Sequence, residues 1–238
     1  MTTPIPLRIK VTSDTICPFC FIGLRKLQRA LATSPVVQSK AFDVDIEYLP
    51  FQLDPTLPVD RPESKLERYR AKFGARTDGM VEMMKGRGLE CGIHFSYGGP
   101  IRSTLLSHRL LSKSYLEGGS KLQLALIEKL FHSYFEQEGD PGDIDTLASL
   151  SGPPPVGAGV FASTDAARSF LESKELLPEV EKKFHEARLK GISGVPHFEI
   201  EAGQPEGKRV RAEVGGAQDS EAFVEIFGKI KEAIDQQQ

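Results

Sequence analysis

The residues with the clearest chemical potential are two cysteines, Cys17 and Cys20, which are separated by Pro18 and Phe19. In a chain with only three cysteines, a C-x-x-C pair is typical of a redox motif rather than of a disulfide framework. Exchange between thiols and disulfides requires a thiolate, because the neutral thiol is a poor nucleophile. The spacing therefore predicts that Cys17 attacks a disulfide and that Cys20 resolves the mixed disulfide.

The segments around the cysteine pair predict a β-α-β unit. Residues 6–13 and 42–51 alternate apolar and polar side chains, which is typical of strands. Leucines recur at helical spacing in residues 24–31, and Pro18 suits the first turn of that helix because no N–H is needed there. Cys17 would then lie beside the free N–H groups and the positive dipole end of the helix. Such an environment can lower the pKa of a thiol to roughly 3.5 to 7.5.

The rest of the chain predicts a helical block followed by two strands and a helix. Residues 56–190 carry apolar side chains mostly at helical spacing. Residues 194–200 and 208–214 predict a pair of hairpin strands, and a last helix follows with Asp219 or Ser220 as its cap.

This order predicts an α/β protein with a thioredoxin fold, β-α-β and then β-β-α, that carries a large helical insertion. Residues 1–55 and 191–238 would form the thioredoxin-like domain, and residues 56–190 the inserted helical subdomain. The chain is long enough to bury a core without a metal or a disulfide.

Pro196 opens one of these predicted strands, after Gly194 and Val195. A proline at a strand entry is a weak signal by itself, since only about one X–Pro bond in twenty is cis. Its place after the helical block gives it meaning. A cis bond there would turn the Val195 backbone toward Cys17, ready to pair with an extended substrate.

The alternative for the cysteine pair is half of a zinc site. Cys91 and His94 form a C-x-x-H that would complete a Cys₃His set with Cys17 and Cys20. However, Cys20 and Cys91 lie much further apart than the roughly 12 to 20 residues found in compact zinc modules. The sequence therefore predicts no metal, and it predicts that Cys91 is a free, weakly reactive thiol.

Composition excludes several other classes of function. A formal net charge of -3 and a pI near 6.0 give no electrostatic footprint for nucleic acid. The sequence contains no run of the roughly 18 consecutive apolar residues that a membrane span requires. Residues 1–10 lack the pattern of a secretory signal, which predicts a cytoplasmic location.

Two longer motifs resemble the DsbA-like thioredoxin family, in its cytosolic FrnE branch. Residues 14–23, DTICPFCFIG, resemble the active-site turn of that family, and residues 191–196, GISGVP, resemble its cis-proline segment. Residues 131–135 and 215–218 resemble the insertion helix and the turn before the last helix, so the resemblance covers essentially the whole chain. Two positions depart from the family pattern: Phe19 stands where tryptophan is common, and His197 where threonine is expected.

The resemblance implies a thiol–disulfide oxidoreductase or isomerase, with Cys17 and Cys20 as the redox pair and a cis Pro196. Val195, Pro18, Phe19 and His197 would contact the substrate, and His197 could also stabilise the thiolate of Cys17. No cofactor is expected beyond the Cys17–Cys20 disulfide, with glutathione as an optional co-substrate. The expected partners are thiols and disulfides of proteins or small molecules. The protein itself is expected to be a monomer or a homodimer. The runner-up is glutathione-dependent transferase or isomerase chemistry of the kappa or hydroxychromene carboxylate isomerase type, whose members usually carry serine where Cys17 stands.

Overall fold

A computed structural model of the chain describes residues 3–203 and 207–236. Its main sheet has the strand order β2-β1-β5-β6. The central strand β1 runs parallel to β2 and antiparallel to β5, which pairs antiparallel with β6. The four strands are β1 (Ile5–Ser13), β2 (Phe42–Pro50), β5 (His197–Ala202) and β6 (Val210–Gly215). Two further short strands form a small antiparallel ribbon, β3 (Glu63–Ser64) and β4 (Pro100–Ile101).

Helices connect and cover these strands. Those at the two ends of the chain are α1 (Pro18–Thr33), α2 (Pro35–Gln38) and α9 (Ser220–Asp235). Those between β2 and β5 are α3 (Lys65–Phe73), α4 (Thr77–Leu89), α5 (Leu105–Glu136), α6 (Ile144–Ser151), α7 (Thr164–Glu172) and α8 (Leu177–Leu189). The predicted thioredoxin fold with a helical insertion is confirmed. None of the helices in the described part of the chain combines the length and the apolarity needed to cross a bilayer.

One face of the sheet packs on α1 and α9. Alternate residues of β1 and β5 are fully buried there, and the Phe198 ring lies 4.9 Å from the Phe223 ring of α9, edge to face. The intervening residues of β5, including His197 and Glu199, point to the other face, which is charged and open at β5 and β6. The alternation of apolar and polar residues in β5 thus places one set of side chains on the buried face of the sheet and the other on the solvent-exposed face.

Helix α5 closes the outer edge of β2. The Gln123 side chain accepts a hydrogen bond from the backbone N–H of Tyr48 (2.7 Å) and donates one to its carbonyl oxygen (3.0 Å). Ser120 accepts a further bond from the backbone N–H of Ile46 (2.7 Å). Side chains of one helix therefore satisfy backbone groups that an exposed edge strand would leave unpaired.

Aromatic packing joins the insertion to α1. The Phe21 ring of α1 stacks on Phe131 at 5.0 Å and lies 6.0 Å from Phe135, both near the end of α5. Phe95, in the loop after α4, packs edge to face on Phe135 at 5.2 Å. This shared core fixes where the first turn of α1 sits relative to the loop that contains Phe95.

Two boundaries differ from the sequence prediction. The apolar residues at helical spacing in residues 121–137 predict a helix there, but helix α5 begins already at Leu105. It kinks where Gly118 and Gly119 leave helical backbone angles. Asp219 occupies the N-cap position of α9, but its carboxylate accepts a hydrogen bond from the Lys26 ammonium (2.6 Å) and makes no side-chain cap.

Candidate active site

Cys17 is the N-cap residue of α1, with extended backbone angles (φ −90°, ψ 114°), and Pro18 begins the helix. The turn is closed by hydrogen bonds from the Cys17 N–H to the Asp14 carbonyl (3.0 Å) and from the Cys20 N–H to the Cys17 carbonyl (3.0 Å). The first turn carries no acidic side chain, and no side chain caps its N–H groups. A negative charge on the Cys17 sulfur would therefore meet the uncompensated positive end of α1.

The backbone of Val195 faces the Cys17 sulfur. The Cys17 thiol donates a hydrogen bond to the Val195 carbonyl oxygen over 3.5 Å, and the Val195–Pro196 peptide bond is cis. The two segments are 178 positions apart in the chain. The fold thus brings the C-x-x-C turn and the proline segment together, as the sequence predicted.

Cys20 lies one turn into α1 and is 2% exposed, against 3% for Cys17. Burial, a hydrogen bond with Cys17 and the negative charge of Cys17 raise the pKa of the Cys20 thiol well above its ordinary value. Both cysteines are free thiols in this structure. The two sulfurs therefore differ in their surroundings: the Cys20 thiol is buried inside the helix and holds its proton, whereas the Cys17 sulfur lies at the helix terminus.

The reduced protein is expected to lose stability above about pH 8.5, where an unfolded cysteine ionises. The folded-state pKa of Cys20 is raised, so the unfolded chain releases this proton at a lower pH than the folded protein does. The free energy of unfolding is therefore unaffected by Cys20 below about pH 8.5, and above it falls by about 1.4 kcal/mol per pH unit until the folded-state pKa is reached. Thermal melting of reduced wild type and Cys20→Ser from pH 7 to 9.5 measures the effect. The wild-type melting temperature should fall more steeply, and parallel curves would contradict the assignment.

A groove of about 260 Å³ opens over Cys17. Its lining is mostly apolar and comes from both parts of the fold. The thioredoxin part contributes Cys17, Pro18, Phe19 and Val195. The loop after β2 and helices α3 and α4 contribute Leu53, Tyr69, Phe73, Met80, Met83 and Met84. Such a surface can accommodate an apolar segment of a ligand.

Cations stand at the rim of this groove. The Arg68 guanidinium pairs with the Asp54 carboxylate at 2.8 Å, whereas Lys72 lies 5.7 Å from the centre of the Phe73 ring. The Arg87 guanidinium lies 5.7 Å from the centre of the Phe19 ring. The aromatic side chain inside the C-x-x-C is thus held between the groove and a cation of α4.

The predicted substrate-contacting residues divide into two groups. Pro18, Phe19 and Val195 line the groove with Cys17. His197 lies instead among the charged side chains of the open sheet face, with its Nε2 3.9 Å from a Glu213 carboxylate oxygen. The structure therefore does not bring the His197 ring into the groove.

Gly23 lets α1 approach the proline segment, a role that the sequence analysis did not identify. A Cβ at this position would lie 3.0 Å from Cγ of Pro196 and 3.3 Å from Cζ of Phe198. Gly23→Val should therefore destabilise the protein by about 1–3 kcal/mol through overpacking and should lower exchange activity by displacing Pro196. Gly228→Val is the matched control, because a Cβ at Gly228 of α9 meets nothing within 4 Å. Equal melting temperatures for the two variants would contradict this role of Gly23.

Buried polar contacts hold the turn that precedes α1 against the loop after β2 and the start of α5. The Asp14 carboxylate accepts from the Leu53 backbone N–H (2.7 Å), and its other oxygen lies 3.3 Å from Nε2 of His108. The hydroxyls of Thr15 and Ser107 are 2.9 Å apart. These contacts tie the turn to the start of α5. They join residues far apart in the chain, so no local sequence signal revealed them.

The alternative zinc set is not assembled. Within residues 3–203 and 207–236, no group of three or more His, Cys, Asp or Glu side chains is arranged to hold a metal ion. The backbone N–H of His94 donates a hydrogen bond to a Glu136 carboxylate oxygen at 2.7 Å. Burial raises the pKa of the partly exposed Cys91 thiol, in keeping with weak reactivity.

Comparison with known proteins defines the family. The DSBA-like thioredoxin domain matches residues 8–228 of this chain. The chain therefore belongs to the DSBA-like thioredoxin family of thiol–disulfide oxidoreductases.

Individual proteins and solved structures are also similar to this chain. The uncharacterized protein YwbO of Bacillus subtilis is 27% identical over 201 residues, which span 82% of this chain and 86% of YwbO. The crystal structure of a probable DsbA oxidoreductase from Streptomyces coelicolor matches with a TM-score of 0.76 at 24% identity, over 94% of this chain and 89% of its own. The cytosolic disulfide reductase DsbM from Pseudomonas aeruginosa, solved with GSH, has the same fold. Its TM-score is 0.52 at 14% identity, over 92% of this chain and 98% of its own.

Proposed function

We propose that this protein catalyses thiol–disulfide exchange, with Cys17 as the attacking cysteine and Cys20 as the resolving one. The observation that carries the proposal is the placement of the Cys17 sulfur. It lies at the uncapped N-terminus of α1 and 3.5 Å from the Val195 carbonyl that precedes the cis Pro196. Cys20 lies buried one turn further on.

In the reductive direction, the Cys17 thiolate attacks one sulfur of a substrate disulfide. The substrate S–S bond breaks, a mixed disulfide forms at Cys17, and the first substrate thiolate leaves and takes a proton from solvent. Cys20 then loses its proton and attacks the Cys17 sulfur, which releases the second substrate thiolate. The substrate gains two electrons, and the enzyme is left with a Cys17–Cys20 disulfide.

The helix terminus and the proline segment have different roles in this scheme: the first stabilises the thiolate and the second binds the substrate chain. The positive end of α1 stabilises the Cys17 thiolate before attack and as the leaving group in the reverse step. The Val195 backbone pairs with the substrate chain once the Cys17 thiol has lost its proton. The raised pKa of Cys20 keeps its thiol protonated in the reduced enzyme, and the mixed disulfide removes one cause of that rise, the negative charge of Cys17.

The substrates are thiols and disulfides of proteins or small molecules, with glutathione as an optional co-substrate, and no cofactor is required beyond the two cysteines. The presence of both Cys17 and Cys20 favours this chemistry over the glutathione transferase or isomerase alternative, because that chemistry needs no second thiol. A cytoplasmic location and a monomer or homodimer remain predictions of the sequence.

The test is catalysed reduction of the insulin disulfides by dithiothreitol, followed by the precipitation of the freed chains. The proposal expects the protein to accelerate precipitation in proportion to its concentration. Prior alkylation of the reduced protein with iodoacetamide should abolish the acceleration. A rate equal to that of dithiothreitol alone would contradict the proposal.

A further inference from the structure

The main sheet has one edge that no other strand of the described chain covers. Strand β6 is last in the order β2-β1-β5-β6, and within residues 3–203 and 207–236 no strand pairs with its outer side. The opposite edge, β2, is covered by Ser120 and Gln123 of α5. An open edge strand presents N–H and C=O groups to any chain that can pair with it.

The ladder between β5 and β6 determines which backbone groups of β6 point outward. The Gly216 N–H donates to the Pro196 carbonyl oxygen (2.8 Å), so these residues form a hydrogen-bonded pair. Such pairs alternate along an antiparallel ladder, and Ala212 therefore also bonds to β5. The N–H and C=O groups of the two residues that flank it, Arg211 and Glu213, then point to the open edge.

The side chains of Arg211 and Glu213 can each accept a further partner of opposite charge. The Glu213 side chain is 71% exposed and lies opposite Glu199 of β5; its basic neighbour among the described residues is His197, with Nε2 3.9 Å away. The Arg211 side chain is 72% exposed, and its Nε donates to Glu201 (2.6 Å). Because like charges opposite each other are unfavourable, Glu213 in particular would gain from a cation on its outer side.

The sequence of β6 is complementary to itself in the antiparallel sense. Residues 210–214 read Val-Arg-Ala-Glu-Val. When Ala212 of one copy lies opposite Ala212 of a second copy, Arg211 lies opposite Glu213 in both halves of the pair. These are also the residues whose backbone groups point outward, so the same register provides the hydrogen bonds and the ion pairs. A register centred on Arg211 or on Glu213 would instead oppose like charges.

We infer that this protein forms a homodimer through β6, in which the two β6 strands pair antiparallel about Ala212 and join the two main sheets into one. The interface is isologous, since both copies use the same strand. It also covers the partly buried Val210, Ala212 and Val214, which pack against the core of each copy. Charged side chains on an edge usually prevent pairing, but here their order permits this register. The inference goes beyond the proposed function and does not depend on it.

Reversing the charge of Glu213 tests the ion pairs. Glu213→Arg places a cation opposite Glu199 within its own chain, which favours the monomer fold, but opposite Arg211 in both halves of the dimer. Sedimentation equilibrium in dithiothreitol, which excludes disulfide-linked species, should show a concentration-dependent dimer for the wild type. The dissociation constant of Glu213→Arg should be about 10- to 100-fold higher. Glu181→Arg, the same change of charge at an exposed position of α8, is the matched control and should leave the constant unchanged.

A mixture of two variants provides the rescue. Arg211→Glu alone should also dissociate, because two glutamates would lie opposite each other in each half of the dimer. An equal mixture of Arg211→Glu and Glu213→Arg should recover a dimer, since every cross-strand pair between the two variants again joins opposite charges. Melting curves of each variant verify that both are folded.

Amide hydrogen exchange of the wild type tests the register without a substitution. The Arg211 and Glu213 amides should become protected as the protein concentration rises, whereas the Ala212 and Val214 amides, which bond to β5, should change little. Three results would overturn the inference: a wild type that stays monomeric at every concentration, a dimer that Glu213→Arg weakens no more than Glu181→Arg does, or a dimer in which the Arg211 and Glu213 amides exchange as fast as in the monomer.

Discussion

Replacing Cys17 by serine should reduce thiol–disulfide exchange to the uncatalysed rate. A serine hydroxyl at the N-cap of α1 stays protonated at neutral pH and cannot form the mixed disulfide, so neither step of the cycle can proceed. The insulin assay with dithiothreitol measures the loss. Cys91→Ser is the matched control, because it removes the third thiol of the chain from a partly exposed position outside the groove. Full activity in Cys17→Ser, or loss of activity in Cys91→Ser, would contradict the assignment.

Replacing Cys20 by serine should instead trap the reaction halfway. Cys17 of this variant still attacks, but no resolving thiol remains to break the mixed disulfide, so an adduct accumulates at one equivalent per chain. Mass spectrometry of the unreduced protein after mixing with excess N-acetylcysteine methylamide disulfide measures the adduct. The added mass should disappear on treatment with dithiothreitol. A stable adduct should be absent at this level from the wild type, which releases it through Cys20.

The location of the adduct provides the stricter test of the two roles. Peptide mapping should find the modification on Cys17, since Cys91 lies outside the groove and has a raised pKa. An adduct on Cys91 with none on Cys17 would show that the cysteine at the helix terminus is not the attacking one.

Local patterns predicted the sheet and the first helix because each of these elements shows a simple periodicity. The alternation in residues 6–13 corresponds to the buried row of Leu7, Ile9 and Val11 in β1. The first half of α5 was not predicted, because its buried face includes Ser107, His108 and Arg109, and polar side chains conceal the apolar period. Arg109 is tolerated there because its guanidinium donates to carbonyl oxygens at the end of α7.

The cysteine pair and the proline of the site could be predicted from the sequence, but the other residues that line the groove or support it could not. Cys17 and Cys20 are neighbours in sequence, and Pro196 follows from the resemblance to a known family. Tyr97 and Gly23 contribute through contacts that only the folded chain creates, the first through a loop of the insertion and the second through close approach to Pro196.

The position of His197 shows how a local pattern constrains a neighbour. Phe198 and Ile200 are buried on the helix-covered face, so residues at alternate positions of β5 must point to the other face. That alternation is present in the sequence. It favours the open-face position of His197 over a place beside the Cys17 thiolate.

The helical insertion has a direct part in the site. Helices α3 and α4 and the loop that contains Tyr97 supply the wall of the groove opposite Val195. The thioredoxin part thus contributes Cys17 and Cys20, and the insertion contributes about half of the residues that line the groove. We expect differences in substrate choice between relatives to arise from this wall.

The most direct test of the central claim is a redox titration of the Cys17–Cys20 pair in glutathione buffers, with free thiols counted by mass after alkylation. The account predicts a single reversible two-electron transition in which Cys17 and Cys20 change state together, while Cys91 remains reduced and can be alkylated throughout. If Cys17 and Cys20 stay reduced at every ratio of oxidised to reduced glutathione, or exchange only with glutathione one at a time, the pair is not a redox centre and the proposed function is wrong.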